Sequence, residues 1–302
     1  MAHITGTPAA PVSAVRAENK MGRGRWFREV GWRYIVAVFA ILYAAFPIVY
    51  IISVSLNDSQ LLAGSNDLFS DITTTNYAKL GDTYFWNWVI NTLFIGSVTA
   101  IGTVLMGAAA AYTFSRFRFK GRRFGLTALL VIQMFPQLLA FVAIYLLLLS
   151  LGEVVPVLGL DSRIALIMVY LGGALGVNTF LMYGFFNTIP VELDEAAKID
   201  GATHAQIFWT IILRLVAPIL AVVGLLSFIS SFSDFLLAKL ILVDQRNWTL
   251  AVGLYGWVSD QLEANWGLFA AGATISAIPV VLLFLFLQKY IVSGLTAGSV
   301  KG

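Results

Sequence analysis

The segment "TYFWNWVINTLFIGSVTAIGTVLMGAAAAYTFS" (residues 83–115) contains no Asp, Glu, Lys or Arg. A transmembrane helix needs about 20 consecutive, mostly apolar residues to cross a hydrocarbon core about 30 Å thick. This segment is long enough, and the chain has five more charge-free segments of comparable length: residues 34–57, 124–152, 164–191, 215–233 and 264–288. The sequence therefore predicts an all-α polytopic membrane protein with about six transmembrane helices.

The composition excludes several other classes of protein. Of the 302 residues, 59% are hydrophobic and only 12% are charged, whereas soluble domains carry about 25% charged residues. There is no cysteine, so disulfides, thiol catalysis and cysteine-based metal sites are excluded. The only histidines, His3 and His204, are too far apart in sequence to suggest a metal site.

The loops between the apolar segments alternate in charge. Lys and Arg precede the first segment, lie between the second and third and between the fourth and fifth, and follow the sixth, while the other loops are acidic. Short loops rich in Lys and Arg stay in the cytoplasm. We therefore predict an inner-membrane protein with both termini in the cytoplasm. Aromatic residues such as Trp88 and Trp266 are expected at the outer interface.

These patterns predict the following organisation. A basic leader covers residues 1–32, is partly disordered, and is retained rather than cleaved as a signal peptide. Spans are expected at about 34–56, 86–114, 124–150, 164–187, 216–243 and 266–289; a cytoplasmic loop is expected at 188–214, an extracytoplasmic loop at 244–265, and a cytoplasmic tail at 294–302.

The cytoplasmic loop contains "ELDEAAKIDGATHAQIFWTI" (residues 192–211), which reads as two short helices broken at a glycine. Gly201 suits a left-handed residue at the end of the first helix. Thr203 and Gln206 have the spacing of a capping box at the start of the second. The pattern predicts a rigid, docked hairpin, which by itself could be an inert element at the membrane surface or a functional one.

The residues of this hairpin carry a family resemblance. "EAAKIDGA" (195–202) followed by "FWTIILRLVAP" (208–218) resembles the EAA loop of ABC importer permeases. The resemblance implies the type I ABC importer permease fold, with coupling helices that sit in a cleft of the ATPase subunit. The implied coupling residues are Glu195, Ala196, Ala197, Asp200 and Gly201. Many members have Pro where this chain has Arg214, which puts the local bend in question.

The C-terminal third resembles one branch of that family. "TLAVGLYGW" (249–257), "WGLFAAGATISAIPV" (266–280) and "QKYIVSGLTAGSVKG" (288–302) are similar to the G-type permease subunit of maltose and maltodextrin importers. The resemblance implies that the outer loop, with Tyr255 and Trp257, reaches toward the binding protein. It also implies a tail that enters the interface between the ATPase subunits, through Gly294, Leu295, Thr296, Ala297 and Gly298.

The chain contains no G-x-x-x-x-G-K-[ST] phosphate loop, the motif that cradles ATP. We predict a non-catalytic subunit that binds no cofactor itself, with ATP and Mg on a partner ATPase homodimer. The other implied partners are a second permease, an extracytoplasmic sugar-binding protein, the lipid bilayer and an oligosaccharide substrate, but no nucleic acid. An α-glucoside such as maltose or maltodextrin is the expected cargo, with trehalose as the alternative.

A polar run, "SFISSFSDF" (227–235), interrupts the fifth apolar segment. Ionisable groups inside a span usually mark a substrate path or a partner. Ser230, Ser231, Ser233 and Asp234 therefore either line the path or bind the second permease, or they join helices within this chain. Gly102, Gly107 and the pair Gly172–Gly173 are interpreted as packing points rather than hinges.

Two other classes of function were weighed. A secondary transporter predicts inverted repeats with broken helices at corresponding positions, and the sequence shows no such pattern. A membrane scaffold without transport explains neither the EAA-like loop nor the tail.

Overall fold

The computed structural model describes residue 24 and residues 27–57, 68–69, 72–259 and 265–297. Throughout these ranges the regular structure is helical, with no β-strand, which confirms the all-α prediction. The chain divides into two units, residues 1–49 and residues 50–302. Most of the leader (1–23, 25 and 26), residues 260–264 of the outer loop, and the end of the tail (298–302) lie outside the described residues.

Twelve helices are used below to locate the functional residues. A π-helical turn (Phe27–Gly31) precedes α1. The helices are α1 (Trp32–Ser55), α2 (Thr75–Lys79), α3 (Phe85–Arg116), α4 (Arg122–Gln133), α5 (Gln137–Val154), α6 (Arg163–Phe186), α7 (Glu192–Ile199), α8 (His204–Leu215, with a π-helical segment at Ile207–Ile212), α9 (Ala217–Ser233), α10 (Leu236–Ile241), α11 (Leu250–Gly256) and α12 (Trp266–Ala297).

Among the described residues, four uninterrupted helical stretches are long and apolar enough to cross a membrane: Phe27–Ser55, Phe85–Arg116, Arg163–Phe186 and Trp266–Tyr290. Two bent pairs raise the number to six if each pair counts as one span. The first pair, α4 and α5, bends by 99° and differs from the continuous span predicted at 124–150. Pro136 precedes α5 with an extended backbone, and because proline has no N–H it cannot continue the helix from α4.

The second bent pair joins α8 to α9 at an angle of 80°. Pro218 occupies the first turn of α9, where proline is tolerated because the N–H it lacks would have no partner inside the helix. Many similar permeases have proline at the position of Arg214. In this chain the bend forms with arginine there.

The fifth predicted span, 216–243, is also interrupted. Helix α9 ends at Ser233, Asp234 has an extended backbone with ψ 124°, and α10 starts at Leu236. The Ser231 and Ser233 hydroxyls donate to the carbonyls of Ser227 and Ile229 at 2.9 and 2.8 Å. Such bonds to the preceding turn compete with regular helix geometry. The broken helices that the sequence did not reveal are therefore present.

Helix α3 packs against both α6 and α9. A Cβ at Gly102 would lie 2.7 Å from the Leu171 side chain, and one at Gly107 would lie 3.1 Å from the Met182 sulfur. These two glycines allow close helix packing, as small residues do in membranes. Gly172 and Gly173 have no neighbour within 4 Å of a built Cβ, so they are not packing points within the described part of this chain.

The end of α3 near residue 85 packs against α11 and α12 around a buried cluster that contains Phe85, Trp88 and Leu250. Trp88 is only 4% exposed, and its indole N–H donates to the Gln245 carbonyl at 2.7 Å. The Trp88 ring therefore packs inside the protein next to Gly253, and its position at the outer interface stays a prediction.

Candidate functional site

The hairpin formed by α7 and α8 (residues 192–215) turns at Gly201, whose φ of +84° confirms the predicted left-handed residue. The Ala202 N–H donates to the Ala197 carbonyl at 2.9 Å, and the Gly201 N–H donates to the Lys198 carbonyl at 3.0 Å. These bonds satisfy carbonyls that would otherwise lack partners at the end of α7. The turn between the helices therefore has one defined geometry.

The start of α8 has the predicted capping box. The Thr203 N–H donates to Gln206 Oε1 at 2.8 Å, and the Gln206 N–H donates to Thr203 Oγ1 at 3.3 Å. Further along, Ile207 and Ile212 are fully buried, and the Phe208 ring lies 5.1 Å from that of Tyr112 on α3. The second arm of the hairpin is thus anchored in the core.

The first arm is anchored by an ion pair that sequence reasoning missed. Arg116 at the end of α3 pairs with Asp194 on α7, and their side chains are only 6% and 4% exposed. The Arg116 guanidinium also donates to the carbonyls of Phe186 and Ile189 at 3.4 and 3.0 Å. In the sequence Arg116 appeared only as one of several loop cations, because pairing across 78 positions leaves no local signal.

The five predicted coupling residues divide between the two faces of the hairpin. Ala197 is 9% exposed and packs into the core, whereas Glu195, Ala196, Asp200 and Gly201 are exposed. Ile199, which is not among the five predicted coupling residues, is 87% exposed. The hairpin therefore presents a fixed surface of acidic, small and apolar groups that no other described part of the chain covers.

A cavity of about 800 Å³ lies among α4, α5, α6 and α9, and Ser230, Ser231 and Asp234 are among its lining residues. Ser233 is not. The Ser231 and Ser233 hydroxyls bond within their own helix. Of the four predicted residues, only Asp234 has a described hydrogen bond to another span. Its Oδ1 accepts from the Tyr170 hydroxyl at 2.8 Å.

The outer loop places its two candidate residues differently. Tyr255 is 51% exposed and its ring lies 4.6 Å from that of Phe235. Trp257 is half-buried, with its ring 5.1 Å from that of Trp88 and 6.2 Å from that of Phe85. Tyr255 is available to a partner, whereas much of the Trp257 ring is used in packing.

Asp161 holds the start of this loop, a role that could not be predicted from local sequence. Its Oδ1 accepts from the N–H groups of Val243 and Asp244 at 2.8 and 2.9 Å, and its Oδ2 accepts from Asn247 Nδ2 at 2.9 Å. Asp161 adopts φ +62°, a conformation that Asp tolerates better than most residues. The segment after α10 is therefore tied to the start of α6.

The predicted tail begins inside a helix. Helix α12 runs through Ala297, so the backbone of Gly294, Leu295, Thr296 and Ala297 is helical. Gly298 lies outside the described residues. A search of the described residues found no group of three or more His, Asp or Glu side chains that could hold a metal ion.

Membrane-length helices, a fixed surface hairpin and a cavity with polar groups in its wall fit a membrane permease. The family described as "Binding-protein-dependent transport system inner membrane component" matches residues 103–297. The chain belongs to this family, which confirms the resemblance to ABC importer permeases.

Two relatives from Bacillus subtilis illustrate the branch. The chain is 38% identical to the galactooligosaccharides transport system permease protein GanQ, over 89% of this chain and 94% of the relative. It is 39% identical to the maltodextrin transport system permease protein MdxG, over 89% of this chain and 95% of the relative. Among solved structures, a bacterial ABC transporter involved in the import of the acidic polysaccharide alginate matches with a TM-score of 0.73 and 26% identity. The match covers 89% of this chain and 98% of that chain.

Proposed function

We propose that this chain is a permease subunit of an ATP-driven sugar importer whose cargo is an α-glucoside oligosaccharide such as maltose or maltodextrin. The identity to the maltodextrin permease MdxG over nearly the whole of both chains supports this proposal. The chain supplies one wall of the path, and a second permease supplies the other.

The hairpin carries the mechanistic part of the proposal. Its two arms are held by the Arg116–Asp194 pair and by the buried side chains of α8, while Glu195 and Ile199 are exposed. Such a surface fits a cleft in a partner ATPase that binds ATP and Mg. Closure of the ATPase dimer would move the hairpin as a unit and shift the spans between inward-facing and outward-facing states, a two-state equilibrium biased by ligands at both ends.

The remaining assignments follow from this arrangement. The hairpin and both termini are cytoplasmic, and the tail contacts the ATPase dimer. The loop after α10 lies outside, where Tyr255 contacts a sugar-loaded binding protein. Asp234, Ser230 and Ser231 face the path.

Reconstitution tests the cargo. The purified chain would be placed in liposomes with its second permease, ATPase and binding protein, and uptake of labelled maltose, maltodextrins, trehalose and galactooligosaccharides would be measured. We expect ATP-dependent uptake of the α-glucosides maltose and maltodextrin. Uptake of trehalose alone, or of none of these sugars, would contradict the proposal.

Galactooligosaccharide transport is the second candidate, because the chain is 38% identical to the permease GanQ. The same panel of sugars distinguishes the two candidate cargoes, since preferential uptake of galactooligosaccharides over maltodextrins would assign the second one.

A further inference from the structure

We propose that the cavity lined by Asp234 is a subsite for neutral glycans, and that the Asp234 carboxylate makes this subunit reject glycans that carry carboxylate groups. This inference rests on the proposed sugar transport and adds a selectivity step within the membrane subunit itself.

The first observation is a set of hydroxyl groups without partners. Thr99 and Ser227 both line the cavity, and they are only 2% and 7% exposed. Neither hydroxyl has a hydrogen-bond partner among the described groups. These two side chains, together with Ser230 and Ser231, give the cavity wall a set of hydroxyl groups. Gln133, Tyr170 and Asn178 line the same space and add the amide and aromatic groups that suit a polyhydroxylated ligand.

The second observation is the charge of the lining. Asp234 is the only charged residue among the described lining residues, and no Lys or Arg accompanies it. The nearest cation in sequence, Lys239, lies over the Trp248 ring at 4.3 Å and lines a different cavity. A glycan carboxylate bound beside Asp234 would therefore meet an acidic side chain with no compensating cation among the described lining residues.

The third observation is that Asp234 is held in place. Its Oδ1 accepts from the Tyr170 hydroxyl at 2.8 Å and from the Ala238 N–H at 3.1 Å. The two bonds fix the orientation of the carboxylate group. The break between α9 and α10 places Asp234 at the cavity rather than inside a continuous helix.

The fold alone does not impose this preference. The transporter for the acidic polysaccharide alginate matches this chain with a TM-score of 0.73. The discrimination is therefore assigned to the side chains that line the cavity, and Tyr170 acts as a positioning residue for Asp234.

The test uses the complete transporter in nanodiscs without its binding protein, so that only the membrane subunits select. Binding of maltotriose, and of a trisaccharide of the same linkage that ends in glucuronate, is measured near neutral pH by saturation-transfer NMR. We expect the unmodified protein to favour maltotriose. Asp234→Asn should reduce that preference about tenfold, because it removes the repulsion between like charges, and a tenfold change corresponds to about 1.4 kcal/mol.

Two further variants make the result specific. Glu153→Gln removes one negative charge at an exposed position outside the cavity and should leave the preference unchanged. Tyr170→Phe keeps the Asp234 charge, so it should weaken maltotriose binding while the preference over glucuronate persists. Each variant is first checked for intact assembly by gel filtration.

An equal preference in Asp234→Asn and the parent would overturn the inference. Absence of maltotriose binding to the parent would do so too, even where uptake with the binding protein is normal. Failure of uptake itself would instead count against the proposed function, so the two failures are distinguishable.

Discussion

At the scale of single residues, the hairpin depends on one backbone conformation and one buried ion pair. Gly201 has φ +84°, and a Cβ built there meets nothing within 4 Å. A side chain at position 201 is therefore restricted by the backbone conformation and not by lack of space. The Arg116–Asp194 pair is constrained by burial instead, because each charge needs the other once both are removed from water.

We predict that Gly201→Val impairs coupling. A β-branched residue in the left-handed region costs about 1–2 kcal/mol, so the turn should distort while the protein still inserts in the membrane. The measurement is sugar-stimulated ATPase activity of the reconstituted transporter. Gly201→Asn is the matched control, because Asn tolerates this conformation, and it should stay close to the parent. Parental stimulation in the valine variant would remove the role assigned to this turn.

We predict that Asp194→Asn destabilises the hairpin by about 3–5 kcal/mol, because it leaves the Arg116 charge buried without a counter-charge. The readout is the thermal unfolding midpoint of the purified complex, together with retention of the ATPase. Glu192→Gln, a charge removal at an exposed position of the same helix, should have little effect on stability. Equal midpoints for the two variants would show that the ion pair does not hold α7.

At the scale of helices, interruptions and close approaches decide where functional groups lie. The interruption after Ser233 brings Asp234 to the cavity, and the bend between α8 and α9 separates the hairpin from the span. On the side of the outer loop, α11 crosses α3 so closely that a Cβ at Gly253 would overlap the Trp88 ring. This crossing positions the loop that contains Tyr255.

We predict that Gly253→Ala destabilises the protein by about 1–3 kcal/mol through overpacking. The Trp88 ring cannot easily move away, because its N–H is bonded to the Gln245 carbonyl. Gly256→Ala on the same helix is the control, since its Cβ would lie 3.5 Å from the Trp248 ring, an ordinary contact. Thermal unfolding of both variants checks this, and similar midpoints would mean that the crossing tolerates an extra methyl group.

At the scale of the whole molecule, the alternation of charged loops predicts the orientation and thus the face on which each proposed partner would bind. The basic loop between α3 and α4 and the hairpin belong to the predicted cytoplasmic side, and the loop after α10 belongs to the outer side. An importer needs a defined orientation, because the binding protein and the ATPase bind on opposite sides of the membrane.

Orientation can be tested directly, since the chain contains no cysteine and single-cysteine variants have no background. Both Lys120 and Ser259 are exposed. We predict that Ser259→Cys in intact cells reacts with a membrane-impermeant maleimide, whereas Lys120→Cys reacts only after the membrane is opened. The reverse pattern would invert the topology.

We predict that deleting residues 294–302 preserves insertion and pairing with the second permease but weakens ATPase retention or uncouples hydrolysis from uptake. The physical reason is the proposed contact of this segment with the ATPase dimer. Co-purification and uptake assays measure both effects. Deleting only residues 299–302, which keeps Gly294–Gly298, is the matched control. Normal uptake and ATPase retention after the longer deletion would exclude the role of the tail.

Local sequence was sufficient for the features that depend on neighbouring residues. Apolar length predicted the membrane-spanning helices, and short-range chemistry predicted the left-handed Gly201 and the Thr203–Gln206 capping box. These features could be read because helix formation and helix ends depend on residues a few positions apart. The motif around Glu195 was enough to indicate the family.

Tertiary structure alone decided which distant residues meet. It paired Arg116 with Asp194 and Tyr170 with Asp234, bonded Asp161 to the loop after α10, and buried Trp88 against Gly253. In an apolar chain most segments satisfy the same hydropathy rule, so the sequence pattern does not say which helix faces which. Packing of small residues and the need to partner every buried polar group select the arrangement, and both act between residues far apart in the chain.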